Sequence, residues 1–409
     1  MLLKQGYKLT ELGVIPEDWD LMALRYIAKY RRGSFPQPYG LRKWYDDVLG
    51  NPFIQVFDID DNLRLKPETK KRLSKEAEKM SVFAKKGSVV LTINGSLGRV
   101  ALTQYDGYID RTLLIFEKFY IPIDKHYFTY SVFALFQIEK EKAPGAILKT
   151  ITKKHLSNFL LPVPTIAEQS SIAEALSDVD ALITSLDDLI AKKRATKQGA
   201  IQVLLTGKAR LPGFTSEWDH KSLGNLFLIT AGMSKSKYIV EYGQYLIVDM
   251  GSISINGKLI ALKQTDYCGD FLEYGDLVMP KDDIGGGNII GKAAFIDKDK
   301  KYIYGDHIYI LKSKLGDPYF LSLVINSFEI NQKLRKKVSG SAQLGLSRKS
   351  VEEEIIVFPS LEEQKSIAKV FSEMESEISF LEQKRDKTKA LKQGMMQELL
   401  TGRIRLMGG

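Results

Sequence analysis

Cysteine is almost absent: Cys268 is the only one in 409 residues. A lone thiol excludes an internal disulfide framework and any zinc site built from a cysteine cluster. Histidine is nearly as scarce. His126, His155, His220 and His307 are scattered, with no spacing suited to a shared metal ion. None has a neighbour that marks it as a general base, so all four are expected in the core or on the surface. No apolar run approaches the ~18–20 residues that a membrane-spanning helix needs. The opening stretch from Met1 to Lys8 lacks the apolar core of a secretory signal. A cytoplasmic protein is expected.

Catalytic motifs are also wanting. Gly286-Gly287-Asn288-Ile289-Ile290-Gly291-Lys292 fits G-x-x-x-x-G-K. A working phosphate loop continues with Ser or Thr and enters a helix, whereas Ala293 follows here and Ala293–Asp297 reads as a strand. A turn near a binding face is the better reading. Asn51-Pro52-Phe53 resembles the N/D-P-P-Y/F loop of amino-methyltransferases, but lacks the second proline, and no F-x-G-x-G loop occurs. Asp299-Lys300-Lys301 matches the D/E-x-K of nucleases, yet it lies in a charged turn without a partner acid. The residues therefore predict a non-catalytic chain.

What the chain does have is itself, twice. Displaced by 195 positions, Pro164–Leu211 falls on Pro359–Leu406 without a gap, with 21 of 48 positions identical. The matches include Glu168-Gln169 with Glu363-Gln364, and Leu204-Leu205-Thr206-Gly207 with Leu399-Leu400-Thr401-Gly402. A period this long is a tandem duplication of a whole module, not a solenoid. The length alone suits two to four units.

Each repeat reads as one long helix. Thr165 and Ser360 stand three residues before Glu168 and Glu363, which predicts a reciprocal capping box behind a proline. Ile172, Leu176, Val179, Ile183, Leu186 and Ile190 alternate in steps of four and three, a coiled-coil seam. The second copy answers with Ile367, Phe371, Met374, Ile378 and Leu381. Gly207 and Gly402 are placed to close the helices in the left-handed conformation. About 40 residues at ~1.5 Å each make a rod of roughly 60 Å. Two matching rods with clean seams predict mutual antiparallel pairing. Gly199 and Gly394 lie inside the helices at a cost of ~1 kcal/mol each relative to Ala. A kink or simple tolerance would account for one of them; their recurrence at one offset favours close approach of another backbone, such as a partner helix.

The segments before the rods, 1–160 and 213–354, share only an outline. Each opens with Trp-x-x-x-x-Leu, Trp19/Leu24 and Trp218/Leu223, and continues in short strand-like runs broken by Gly and Asn. Phe83–Val90 and Phe271–Val278 both read as a turn into a buried strand. The same scaffold with different surface chemistry is the pattern of two readers with separate targets. The fold class expected is α+β: two mixed α/β domains related by pseudo-two-fold symmetry, separated by two long antiparallel coiled-coil helices at 161–212 and 355–409.

Basic residues interleaved with aromatics point to nucleic acid. In the first unit the candidates are Arg31, Arg32, Arg42 and Lys43 among tyrosines and Trp44, with Lys70, Lys71, Arg72, Lys85, Lys86, Arg99, Lys153 and Lys154. In the second they are Lys281, Asn288, Lys292, Arg335, Lys336, Lys337, Gln343, Arg348 and Lys349. Lys and Arg neutralise phosphates, while Arg, Asn and Gln can read base edges with two hydrogen bonds. The net charge of +9 is unevenly spread. Residues 1–160 hold 26 basic and 18 acidic side chains, and residues 213–354 hold 18 of each.

In this order the motifs resemble the DNA-specificity subunit of type I restriction–modification systems. The likeness rests on Thr10–Trp19, on the proline-led Glu168-Gln169-x-x-Ile172-Ala173 helices with Leu-Leu-Thr-Gly ends, and on Thr206–Phe214 leading to Trp218. It implies two target-recognition domains, each reading half of a split double-stranded DNA sequence, with the paired helices as a ruler. It further implies docking of two methyltransferase subunits, which bring S-adenosylmethionine, and of an ATP- and Mg2+-dependent translocase–nuclease subunit. No cofactor is expected on this chain itself. Two alternatives remain at this stage: a coiled-coil scaffold with two protein-binding heads, and a stand-alone DNA methyltransferase or nuclease.

Overall fold

A computed structural model of the chain describes residues 5–94, 97–141, 153–283, 286–340 and 344–406. Two compact units emerge: residues 1–187 with 383–409, and residues 188–382.

Both units are built on the same plan. The first has a four-stranded antiparallel sheet in the order Ala28–Arg32, Leu113–Phe119, Val89–Thr92, Val100–Leu102. The second repeats it as Phe227–Ala231, Ile308–Ser313, Leu277–Pro280, Ala294–Phe295. Val89–Thr92 and Leu277–Pro280 are buried at every position, as interior strands with apolar side chains on both faces must be. A second sheet flanks each. In the first unit it runs Lys71–Leu73, Asn51–Ile54, Gly107–Ile109, Val82–Ala84, with the middle pair parallel. In the second it runs Lys263–Thr265, Tyr245–Val248, Tyr302–Tyr304, again with one parallel pair. An isolated bridge from Phe271 to Ile303 stands where the fourth strand would be. Asp20–Ala23 pairs with Leu160–Val163, and Asp219–Ser222 with Ile355–Phe358, so each domain closes beside the point where it opens. The expected α+β class is what the chain adopts.

The long helices span Ile166–Leu204 and Leu361–Leu399, 39 residues each. In the first unit Ile172, Ala173 and Leu176 share a core with Met396, Leu399 and Leu400. The start of one helix thus lies against the end of the other, which is antiparallel packing. The second unit repeats this with Ile367, Ala368 and Phe371 against Leu205, Leu204 and Ile201. Of the remaining seam positions, Ile183, Leu186, Ile190, Ile378 and Leu381 are buried, and Val179 and Met374 half-buried. Gly207 and Gly402 sit at φ +69° and +70°, the left-handed closure that favours glycine.

Two details depart from expectation. Only half of each capping box forms: the amides of Glu168 and Glu363 donate to Thr165 Oγ1 at 3.4 Å and Ser360 Oγ at 3.3 Å. The glutamate side chains turn away instead. Glu168 accepts from Trp19 Nε1 at 3.0 Å and from Arg405 Nε and Nη2 at 2.6 and 2.8 Å. Glu363 accepts from Trp218 Nε1 at 3.0 Å and from Arg210 Nε and Nη2, both at 2.6 Å. Two forked bonds from an arginine outweigh one bond to a helix-end amide. The other departure concerns Gly199 and Gly394, where a Cβ would meet no atom within 4 Å among the described residues.

Duplicated polar groups also tie each domain to the helices. Tyr130 donates to Asp180 at 2.7 Å, and Lys392 pairs with the same carboxylate at 2.6 Å. In the second unit Tyr319 donates to Glu375 at 2.8 Å, and Lys197 pairs with Glu375. Asp180 and Lys197 stand 195 positions before Glu375 and Lys392, so the arrangement is the same one twice.

Candidate nucleic-acid interface

Seven of the basic candidates are held by acids of their own unit. Arg31 pairs with Glu117, Lys43 with Glu76 at 3.3 Å, Lys71 with Asp47 at 3.9 Å and Arg99 with Asp61 at 3.8 Å. In the second unit Lys337 pairs with Glu354 at 2.6 Å, Arg348 with Glu352 at 2.6 Å and Lys349 with Glu353 at 3.7 Å. Apart from the Lys337 pair, whose Glu354 is buried, these exposed pairs are worth ~0–1 kcal/mol, so a phosphate can displace the acid at little cost. Arg72 Nε donates to the Gly50 carbonyl at 2.7 Å, and Lys70 lies 5.2 Å over the Phe57 ring. Arg42, Lys85, Lys86, Asn288, Arg335 and Lys336 are exposed, and Lys281 and Lys292 half-buried. Burial, with the nearby Arg335 charge, pushes the Lys292 ammonium below its ordinary value. Gln343 and the side chains of Lys153 and Lys154 lie outside the described residues.

One cleft in the first unit concentrates polar groups over an aromatic floor. It measures about 500 Å³ and is lined by Arg32, Gly33, Ser34, Phe35, Asn94, Arg111 and Thr112. Phe35 packs against Tyr39, Phe53 and Tyr45 with ring centroids 4.7, 5.0 and 5.6 Å away. The Arg111 guanidinium lies 5.0 Å over the Tyr39 ring. Gln55 Nε2 donates to the Tyr39 hydroxyl at 2.8 Å, and burial together with Asp110 pushes that phenol up to about 12, so it stays neutral. Asp110 accepts from the Arg111 amide at 2.6 Å and the Thr112 hydroxyl at 3.0 Å, which fixes the turn. Gly33 is obligatory here, because a Cβ would stand 2.2 Å from the Asp110 carbonyl oxygen. Arg32 donates to the Arg111 carbonyl and joins the two rims. Arg111 belongs to no basic run and was not among the sequence candidates.

The same place in the second unit carries the opposite charge. Gly33 donates to the Leu113 carbonyl at 2.9 Å and Gly232 to the Ile308 carbonyl at 2.9 Å. Ile93 donates to the Thr112 carbonyl at 2.9 Å, and Lys281 to that of His307 at 3.0 Å. These matched bonds put Asn94, Arg111 and Thr112 in register with Asp282, Asp306 and His307. His307 Nδ1 lies 2.7 Å from Asp282 Oδ2, and Nε2 lies 3.8 Å from Asp306 Oδ2. Nearby, Lys235 is buried against Asp270 at 2.9 Å, between the rings of Tyr267 and Tyr304. The Lys235 hydrogen bond holds the Asp270 carboxyl below the usual carboxylate range.

A family model described as the type I restriction modification DNA specificity domain matches this chain twice, over residues 16–192 and 215–390. The chain belongs to that family. It is a specificity subunit of a type I restriction–modification system, with two target-recognition domains. Among its relatives is the type I restriction enzyme MjaVIII specificity subunit of Methanocaldococcus jannaschii, 23% identical over 96% of this chain and 94% of that protein. In fold it resembles the crystal structure of the S subunit from M. genitalium, with a TM-score of 0.62 and 15% identity over 96% and 97% of the two chains. A second likeness, TM-score 0.57 at 14% identity over 95% and 99%, is to a chain from a study of type I complex assembly and conformational transition.

Within this specificity subunit the methyltransferase-like triplet is structural. Asn51–Ile54 is an interior strand, Phe53 is fully buried, and Asn51 Nδ2 donates to Glu78 at 2.7 Å. Ala294–Phe295 is a strand, as the residues after Lys292 predicted. Among the described residues no group of three His, Cys, Asp or Glu side chains is arranged to hold a metal ion. Nor is any described helix long and apolar enough to cross a membrane.

Proposed function

We propose that each target-recognition domain reads one half of a bipartite duplex sequence and that the paired helices fix the gap between the halves. The recognition domains are taken as residues 1–160 and 213–354, and the spacers as 161–212 and 355–409. One observation carries this reading: a fold retained in both domains bears Arg111 at a cleft position where its copy bears Asp306. A retained scaffold with inverted surface charge is what separate half-targets demand. The duplicated helices present equivalent surfaces to two identical methyltransferase subunits, which bring S-adenosylmethionine and flip the base. A translocase–nuclease subunit using ATP and Mg2+ joins them for cleavage. This chain works in the cytoplasm and contributes address and geometry without performing chemistry.

The test is to co-express the chain with its methyltransferase and map modified bases by long-read sequencing. A split motif is expected. Exchanging residues 1–160 for another such domain changes one half of it, and removing a heptad from each helix changes the gap. Alteration of both halves, or methylation by this chain alone, overturns the reading.

A further inference from the structure

We infer that Arg111 reads a guanine for the first recognition domain, and that Asp306 bars the same base from the equivalent position of the second. This assignment rests on the DNA-reading function proposed above. Arg111 differs in how it is held from the seven basic candidates that carboxylates engage. Arg31, Lys43, Lys71, Arg99, Lys337, Arg348 and Lys349 are all paired with carboxylates. Arg111 forms no ion pair among the described residues, and its guanidinium rests on the Tyr39 ring. A guanidinium held over a ring by cation–π attraction keeps its N–H donors open to a ligand. Tyr39 cannot swing away, because Gln55 holds its hydroxyl and Phe35 packs on its ring. The result is a pre-oriented fork at the mouth of a cleft.

The chemistry that a fork of donors selects is a pair of acceptors. In the major groove guanine presents N7 and O6 side by side, and arginine bonds both. Adenine offers one acceptor and one donor there, so it forfeits a bond. At the corresponding position Asp306 presents only acceptors, as does Asp282 beside it. Carboxylates facing N7 and O6 repel, whereas they accept from the amino group of cytosine. The inversion therefore excludes guanine from the equivalent position of the second domain.

The experiment uses the full chain co-expressed with its methyltransferase, with the wild type, Arg111→Ala and Arg111→Gln each mapped by long-read sequencing. Arg111→Ala is expected to cut modification of the native motif on the order of 10- to 100-fold and to leave one guanine in one half degenerate. Arg111→Gln is expected to move that position toward adenine, which pairs with an amide through N6 and N7. The other half stays unchanged in both. A uniform loss across all sequences, with the salt slope of binding reduced by about one, would mark a phosphate contact and overturn the assignment. A motif that Arg111→Gln leaves unaltered overturns it as well. A wild-type complex that modifies no split motif sinks the proposed function itself, and this assignment with it.

Discussion

Arg405 illustrates how single residues hold this molecule together. Its guanidinium binds Glu168 through two bonds and Asp18 through two more, at 2.9 and 2.8 Å. Glu168 is almost fully buried, so removing its arginine leaves a carboxylate in a poor solvent, with the Trp19 indole its one remaining side-chain donor among the described residues. Loss of one partner of a buried pair costs about 3–5 kcal/mol. Arg405 is itself about one-fifth exposed, which lowers the expectation for Arg405→Ala to about 2 kcal/mol. Denaturant unfolding should show that loss, while Arg403→Ala, at an exposed pair, should cost less than about 1 kcal/mol. Glu375 supplies a test by pH. Burial pushes its carboxyl up, but the bonds from Lys197 and Tyr319 outweigh that and hold it below the ordinary range. A depressed carboxyl stabilises the fold above its unfolded value, near pH 4, and that stability disappears as the pH falls through the folded value. Acid titration of unfolding should therefore be steeper below about pH 4 for the wild type than for Glu375→Gln.

The long helices were legible because their apolar period runs over many turns and is stated twice, so each copy checks the other. Their ends were only half legible. A glutamate three residues after a cap looks the same whether it bends back or reaches Arg405, 237 residues further along. Arg111 was illegible for a related reason: its setting comes from Tyr39 and Asn94, which meet it only when separate strands pair. Arg32, by contrast, was visible through the Tyr30-Arg31-Arg32 run. The helix glycines separate into two kinds that their recurrence could not distinguish. Gly402 is required, since its φ is +70° and a Cβ would stand 2.4 Å from Pro16 Cδ. Gly394 has helical backbone and open space. Gly394→Ala should raise stability by about 1 kcal/mol, the helix-propensity gain, whereas Gly402→Ala should lower it. If the stabilised Gly394→Ala chain then recruits its methyltransferase less well, the open face is occupied in the complex.

At the scale of the whole molecule, charge is divided unevenly between two domains of one design. The first carries a basic excess of eight and the second none, with 26 against 18 and 18 against 18 charged groups in residues 1–160 and 213–354. The equivalent positions repeat the contrast, Arg111 in one domain and Asp306, with Asp282, around His307 in the other. Each phosphate that a cation neutralises releases counterions, and log K falls with log salt at about −0.9 per contact. A domain rich in uncommitted cations therefore grips duplex in a salt-sensitive way. A neutral domain relies on base edges, local patches or the methyltransferase beside it. Binding of the assembled complex to duplexes with only the first or only the second half-target intact, measured from about 50 to 200 mM salt, separates these contributions. The first-half duplex should lose affinity more steeply, by several units of slope. Equal slopes would place the phosphate contacts on the partner subunits, and the excess charge of the first domain would then need another role.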